Sequence, residues 1–504
     1  MTFRLVDMLK KTSYLFGLSL LLLSVTAFAQ FDSSDTPNTS SNTSELNVQP
    51  ADQTLDPNTD RKIAQLSQSQ NQSQALQQPE QATKKLDTKI DWSGEYRLRG
   101  RYLDRAYVGS SEPQDFYVHR FILKGSMAPN DDIETHFAIN FNQALGGDEK
   151  RGFAGLRDGD TDDQNIQILK AYADWAFGSS FSVRFGRMEL DWSHGALISK
   201  NDDDQQPYFF DGAVLGYDAA GFSLRSGVLR VGDWTLANSA PNKIDPDESA
   251  YFASLDFKPL SALLETTQVF FFRTQADDYN SAAVNIMGSS LNRIGLALGG
   301  ASKGFYYSLD YVSQLGSYNN GVNSSAWMAQ GEFGYKIDTG YNPTKFFIKA
   351  HYDTGDDAAT TDTDEGYNPL YYNHHKYAGL MDVLAWGNLN YMGFGASVLR
   401  RKKTEFMLQA LWFKLSDSSS GPSDISYLGY SGDNDTISEA VATNASGVTS
   451  SQLGYEIDFL YKRNFSSQAF LEVIGGVFVT GDYLEAYGRD KNFFSIRVST
   501  GFEF

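Results

Sequence analysis

The sequence predicts an all-β protein, an antiparallel transmembrane β-barrel of about 18 strands behind a disordered N-terminal periplasmic segment. Three observations predict it. The chain opens on an export signal, it alternates apolar and polar residues with period two from Asp91 to its end, and the connections between alternating segments are short and long in strict turn.

Residues 1–29 form the signal. Arg4, Lys10 and Lys11 precede an apolar run over 15–25, and Ala27-Phe28-Ala29 stand before Gln30. A basic start, a short apolar core and small residues at a cleavage site make a secretory signal peptide. The run is too short for a membrane helix. Translation from Met8 would remove Asp7 from the basic region and leave a cleaner signal. The chain has no cysteine, which removes a lipid attachment site; export permits disulfides without requiring them.

Residues 30–88 are rich in Ser, Asn, Gln and Thr, with Pro37, Pro50, Pro57 and Pro79. Such a stretch buries too little apolar surface to offset chain entropy, so it reads as a disordered periplasmic segment.

Residues 89–504 read as the barrel. In the last strand Phe494, Ile496, Val498, Phe502 and Phe504 share one parity, against Ser495, Arg497, Ser499 and Glu503. One face meets lipid and the other water. A terminal aromatic in this register resembles the signal read by the barrel-assembly machinery, and Phe504 is assigned that role. The same alternation sets Trp92, Tyr96, Leu98 and Tyr102 against Glu95, Arg97, Arg99 and Arg101. It sets Phe305, Tyr307, Leu309 and Tyr311 against Ser308 and Asp310, and Leu453, Tyr455, Ile457 and Phe459 against Glu456 and Asp458. A soluble sandwich would fill its apolar face with Val, Ile and Leu. Here 28 Tyr, 35 Phe and 7 Trp weight that face toward the aromatic girdles of a membrane barrel.

Short turns are expected at 128–132, 178–180, 218–221, 258–261, 302–304, 338–344, 400–403 and 463–467. Long polar segments lie at 103–114, 144–164, 191–207, 232–248, 274–290, 316–325, 354–384, 416–450 and 480–490. This is the rhythm of tight periplasmic turns and long outer loops, with both barrel ends in the periplasm for an even strand count. The expected location is the outer membrane of a Gram-negative bacterium, with outer-membrane lipid and lipopolysaccharide around the barrel.

With the polar parity facing inward, Arg97, Arg99 and Arg101 form a ladder continued by Arg120 and Lys124, then by Lys170, Arg184 and Arg225. Each arginine would cost about 2–4 kcal/mol in lipid at midplane, so the ladder faces water and attracts anions. Some of these cations are expected to pair with Glu95, Glu134 or Asp174. Asp310, Glu332, Glu456 and Asp458 give an opposing acidic wall. No plug domain precedes the first strand, so inward-folded loops are expected to narrow the pore.

The net charge of −20 sits largely in outer loops, at 158–163, Asp202-Asp203-Asp204, and Asp356, Asp357, Asp362, Asp364 and Glu365. None has the spacing of a calcium loop, and they read as solvated charge. The adjacent His374 and His375 do not converge on one ion, so no metal is assigned. Phosphate loops, dinucleotide fingerprints and zinc motifs are absent, and no cofactor or nucleic-acid partner is expected. His194 lies beside Ser193 and Asp191, sequence neighbours without the spatial grouping that a hydrolase needs. The reading is a channel for small polar or anionic solutes and not an enzyme. Its alternatives are a diffusion porin without anion preference and a plugged structural or adhesive barrel.

One region goes beyond a generic barrel. Lys170-Ala-Tyr-Ala-Asp-Trp175, a short turn, then Phe185-Gly-Arg-Met-Glu-Leu190 lead to Phe209-Phe-Asp-Gly-Ala213. The series resembles the alginate-export family of outer-membrane proteins, through Gly186, Arg187, Phe210, Asp211 and Gly212. Met188 stands where that family usually has Gln. The resemblance implies 18 strands and a positive constriction that passes an acidic polysaccharide. Strict alternation would point Arg187 and Glu189 at lipid, so a bulge at Gly186 is expected to turn both into the lumen and make Arg187 pore-lining.

Overall fold

The computed structural model describes residues 90–504 apart from 105–113, 146–163, 204–206, 232–247, 277–278, 281–284, 421–449, 487–490 and the single positions 260, 287, 339, 385 and 402. The signal, the segment 30–88, the acidic run 158–163 and Asp204 lie outside the described residues.

Eighteen strands make the wall. They are β1 (Ile90–Leu103), β2 (Gln114–Asn130), β3 (Ile133–Leu145), β4 (Gln164–Phe177), β5 (Phe181–Met188) and β6 (Phe210–Asp218). Next come β7 (Phe222–Val231), β8 (Glu248–Phe257), β9 (Thr266–Ala276), β10 (Ser289–Ser302), β11 (Phe305–Tyr318) and β12 (Asn323–Ile337). The last six are β13 (Thr344–Asp353), β14 (Leu389–Arg400), β15 (Thr404–Leu415), β16 (Gln452–Asn464), β17 (Ala469–Thr480) and β18 (Phe493–Glu503). Each pairs antiparallel with its chain neighbours, and β18 pairs with β1 to close the cylinder. Closure leaves no unpaired edge to be satisfied in lipid. Phe504 seals the seam by exchanging backbone hydrogen bonds of 2.9 and 3.0 Å with Gly94. Among the described residues no helix is long and apolar enough to cross a membrane.

The alternation resolves into two faces. Phe305, Leu309 and Tyr311 are 51%, 43% and 42% exposed on the outside of β11, whereas Asp310 and Val312 between and beyond them are fully buried. The expected short turns fall together at the end where β1 begins and β18 finishes. One expected long segment is short: β11 and β12 run on into it and leave four residues, 319–322, closed by Gly321 N–H donating to the Tyr318 carbonyl at 3.0 Å. Ser, Asn and Gly there continue the ladder because its bonds are between backbones.

Two long connections turn inward instead of outward: loop A (189–209, between β5 and β6) and loop B (354–388, between β13 and β14). Loop B carries the single-turn helix α1 (His374–Tyr377), and a second short helix, α2 (Asp482–Ala486), follows β17.

The expected bulge at Gly186 is not found. Residues 181–187 pair with β4 and 181–188 with β6, without a register shift. Gly186 instead bends the strand by its own torsion, with φ +118°, a conformation open mainly to glycine. The extra residue lies next door in β4, where the register with β3 slips between Ala138 and Ile139 and Leu169 is buried. Arg187 therefore keeps the parity of Phe185, which is 49% exposed, and the assignment of Arg187 to the pore lining is corrected. A second slip, opposite Phe413 and Lys414, turns Leu453 inward, where it is fully buried rather than lipid-facing.

A β-carbon on Gly186 would lie 2.2 Å from the Ala171 carbonyl oxygen, whereas one on Gly178, with φ +66°, would meet nothing within 4 Å. Gly186→Ala is expected to destabilise the barrel by about 1–3 kcal/mol, and Gly178→Asn to be nearly neutral because Asn tolerates the left-handed region. Denaturant midpoints of the two variants refolded in detergent micelles check this; equal midpoints would contradict it.

Candidate functional site

Arginines concentrate where the cylinder closes. On the inward parity of β1 stand Arg97, Arg99 and Arg101, with Arg120 opposite Arg97 on β2 and Arg497 opposite Arg101 on β18. All five are buried. Strand acids compensate only part of this charge: Glu95 pairs with Arg120 and lies 3.9 Å from Lys124, and Glu472 lies 3.5 Å from both Arg497 and Lys462. Ser499 and Ser495 accept from Arg99 Nε and Arg101 Nε at 3.2 and 3.1 Å.

Loop A supplies the remaining acceptors. The Asp202 carbonyl accepts from Arg97 and Arg120 at 3.1 and 3.0 Å, and the Asp203 carbonyl from Arg97 and Arg99 at 2.8 and 2.9 Å. The Asp203 carboxylate takes Arg99 at 3.0 Å and Arg497 at 2.7 and 3.2 Å. Burial alone would raise the Asp203 carboxyl, but Arg497, Arg99, His375 and Arg97 outweigh it and hold it well below the usual 3.8. The Asp203 carboxylate is thus not solvated outer-loop charge, whereas the Asp202 side chain, 3.3 Å from Arg120, stays about half exposed. The arginines draw them in, because a buried guanidinium without an acceptor is costly.

The other end of loop A is fixed on the opposite wall. Trp192 packs on Phe252 and Phe272 with ring centroids 4.2 and 6.1 Å away. Ser193 N–H donates to Gln268 Oε1 at 2.9 Å, and Ser193 Oγ to Asp310 Oδ1 at 2.7 Å. His194 Nδ1 lies 3.0 Å from the same Asp310 oxygen. Both residues hold left-handed torsions, φ +53° and +51°. One loop touching β1, β2 and β18 at one end and β8, β9 and β11 at the other crosses the interior of the cylinder. The grouping of Ser193, His194 and an acid is real in space, but both side chains are spent on Asp310, and the Ser–His hydrogen bond of a nucleophile with its base is not made. Asp191 accepts instead from Lys200 N–H at 2.9 Å.

Loop B braces loop A. Lys376 Nζ and Tyr377 Oη donate to the His194 carbonyl, at 2.7 Å for the lysine. Leu380 and Met381 N–H donate to Asp458 and Glu456 at 3.2 and 3.0 Å, so the acidic wall holds loop backbone. The Met381 carbonyl accepts from Arg101 at 2.8 Å, and Asp382 lies 3.9 Å from the same guanidinium. His375 bridges Asp382 at 3.1 Å and Arg497 at 2.8 Å. Trp386 stacks on Tyr372 and His351 at 4.2 and 4.1 Å.

The other sequence-assigned cations sit apart from this cluster, each with its own acid. Lys170 pairs with Glu189 at 2.9 Å, Arg184 with Asp174 at 2.7 Å and Arg225 with Asp218 at 3.0 Å. Arg187 pairs with Asp211 at 2.6 Å, and its guanidinium lies 4.2 Å from the centre of the Phe209 ring. Phe210, fully buried, packs edge-on against Tyr371 of loop B at 5.3 Å. Gly212 meets the Val228 carbonyl so closely that a β-carbon would lie 2.2 Å away. Arg497, Asp203, Asp382 and His375 were not assigned from sequence. For Arg497 a signal existed, since a closed barrel places its last strand beside its first.

A family model described as alginate export matches residues 66–494. The fold is similar to solved structures of Pseudomonas aeruginosa outer-membrane proteins. OpdK superposes with a TM-score of 0.53 at 13% identity, and OccK2 (OpdF), solved in complex with glucuronate, with 0.54 at 12%. Both alignments cover 82% of this chain and 98% of the other. No curated protein sequence matches the chain.

Because the Asp203 carboxyl titrates below its usual value, its hold on the arginines is complete above the unfolded value near 3.8 and is lost only as pH falls through the depressed one. The chain has no cysteine, so a spin label on a single Lys200→Cys reports loop A alone. The label is expected to stay immobile from pH 7 to 4.5 and to loosen at pH 7 in an added Asp203→Asn background. Mobility already high at pH 5 in the native background would show that Asp203 does not anchor the loop.

Proposed function

The chain belongs to the alginate-export family and is an outer-membrane, porin-like channel of a Gram-negative bacterium, and we propose that this channel prefers anionic solutes, with saccharide acids as the class it fits best. The carrying observation is the convergence of Arg97, Arg99, Arg101, Arg120 and Arg497 from three adjacent strands. Together with Lys124 and Lys462 they outnumber the strand acids Glu95 and Glu472 that contact them. The rest of the countercharge comes from the carboxylates of loops A and B, which are tethered at a distance and exchangeable.

Asp203 supports the ligand class. Its carboxylate is gripped by two guanidiniums with N–O distances of 2.7–3.2 Å, the fork geometry by which arginine recognises a free carboxylate. A solute carboxylate that replaced it would gain the same contacts. The glucuronate bound by OccK2 is of this class, and the acidic polysaccharide that the family name implies repeats it. No reaction is assigned, since Ser193 and His194 are held by Asp310 and not by each other.

One feature favours a second reading, a barrel closed by its own loops: loop A crosses the whole interior and packs with loop B into one buried apolar cluster that includes Ile198, Phe210, Met381 and Trp386. Planar-bilayer recording with a salt gradient separates the two. The proposal expects open-channel current, an anion-selective reversal potential, and block by added glucuronate. Replacing Arg97, Arg99 and Arg497 together by Gln is expected to bring the anion-to-cation permeability ratio from above one to below one. No current would favour the closed barrel, and cation selectivity of the native chain would end the anionic reading.

A further inference from the structure

The outer face carries charge that solute passage does not use. Arg187, Asp211 and Arg230 are consecutive cross-strand partners on β5, β6 and β7, and Arg273 follows on β9. All lie on the lipid-facing parity. The residues two positions below the arginines, Phe185, Val228 and Phe271, are exposed large apolar side chains, as is Tyr251, the partner of Arg273 on β8. Arg230 is itself exposed. Arg273 donates to Ser290 Oγ at 3.0 Å across to β10.

Arg187 and Arg230 are each one residue from the long-loop end of their strands, and Arg273 is three residues from it. A cation on the lipid face is expensive at midplane and nearly free at the interface, so this height is that of the lipid headgroups. Near the same end, β12, β13 and β15 present Trp327, Tyr352 and Trp412, and β15 adds the single cation Lys414. On this flank Arg187 pairs with Asp211 at 2.6 Å, Arg230 is the other cross-strand neighbour of that aspartate, and Arg273 lies three strands from it.

We propose that this flank is a binding site for the phosphate groups of an anionic lipid of the outer leaflet, a phosphorylated lipid A headgroup. Arginine forks match phosphate oxygens in two-point contacts, and the acyl chains of the same molecule would lie along the apolar row of Phe185, Val228 and Phe271 below. Both halves of such an amphiphile are complemented at one place, which a freely diffusing phosphate would not require.

The full chain, refolded in detergent micelles, is titrated with diphosphorylated lipid A, with the same lipid dephosphorylated, and with inorganic phosphate, and bound species are counted by native mass spectrometry. The phosphorylated lipid is expected to be retained, and Arg230→Gln with Arg273→Gln to weaken it at least about tenfold. Arg230→Lys with Arg273→Lys should retain most of the binding. Lys414→Gln, outward on β15, should change nothing and controls for general surface charge. Equal binding of the dephosphorylated lipid, undiminished binding by the Gln pair, or full displacement of the lipid by equimolar inorganic phosphate would each overturn the proposal. Conductance is a separate measurement, so the channel reading stands or falls independently.

Discussion

Arg97 faces Arg120, and Arg101 faces Arg497, across two adjacent strand pairs. Like charges directly opposite in a sheet repel, and these are buried, so the seam of the barrel is under an electrostatic constraint that its strands do not satisfy by themselves. The loop contacts at the seam answer to it. The carbonyls of Asp202, Asp203 and Met381 and the carboxylates of Asp203 and Asp382 converge on the seam from two loops. Away from the seam the same loops are held by Trp192 on Phe252 and by loop B backbone on Asp458 and Glu456. A countercharge on a loop differs from one on a strand in that its removal breaks no strand pairing.

Loop A is held by two unlike supports. At β8, β9 and β11 the anchor is a packed tryptophan and short hydrogen bonds to Gln268 and Asp310, strong enough to keep Ser193 and His194 in torsions that cost of order 1–3 kcal/mol each. At β1, β2 and β18 it is charge against charge. Packing is insensitive to ions, whereas ion pairs respond to competing anions, even if burial protects them from the ordinary screening over about 8 Å at physiological salt. The loop is therefore asymmetric: fixed where it is apolar, exchangeable where it is charged. Loop B reinforces the fixed end through Lys376 and Tyr377 on the His194 carbonyl and touches the exchangeable end through His375 and Asp382.

Much of the barrel was legible in the chain because its physics is local. Period two follows from the pleat, and the rhythm of turns and loops from a wall that passes back and forth through one membrane. The inward parity of Arg97, Arg99, Arg101 and Arg120 needed nothing more. What was hidden is non-local. An extra residue in one strand, such as Leu169 or Leu453, is visible only against its partner's register, so the expected bulge at Gly186 was placed one strand away from the real one. Gly186 bends the backbone without inserting a residue, and Arg187 consequently stays outside. Asp203 read as solvated because an acidic run in a long loop ordinarily is; only the folded loop reveals three arginines and a histidine around it.

The two groups of arginines show how one side chain answers opposite surroundings. Inside, five guanidiniums are packed so closely that their own repulsion recruits acceptors from the loops. Outside, Arg187, Arg230 and Arg273 are spread over strands β5 to β9 near the loop ends, where the guanidinium reaches water and the stem covers apolar surface. The alternating pattern assigns a residue to a face but not to a height, and height decides whether an outward arginine is a defect or an anchor. On the inner face the corresponding quantity is the origin of the neutralising acid. The same strand pattern with acids on the strands would neutralise the wall within the sheet; here part of the neutralising charge comes from the loops.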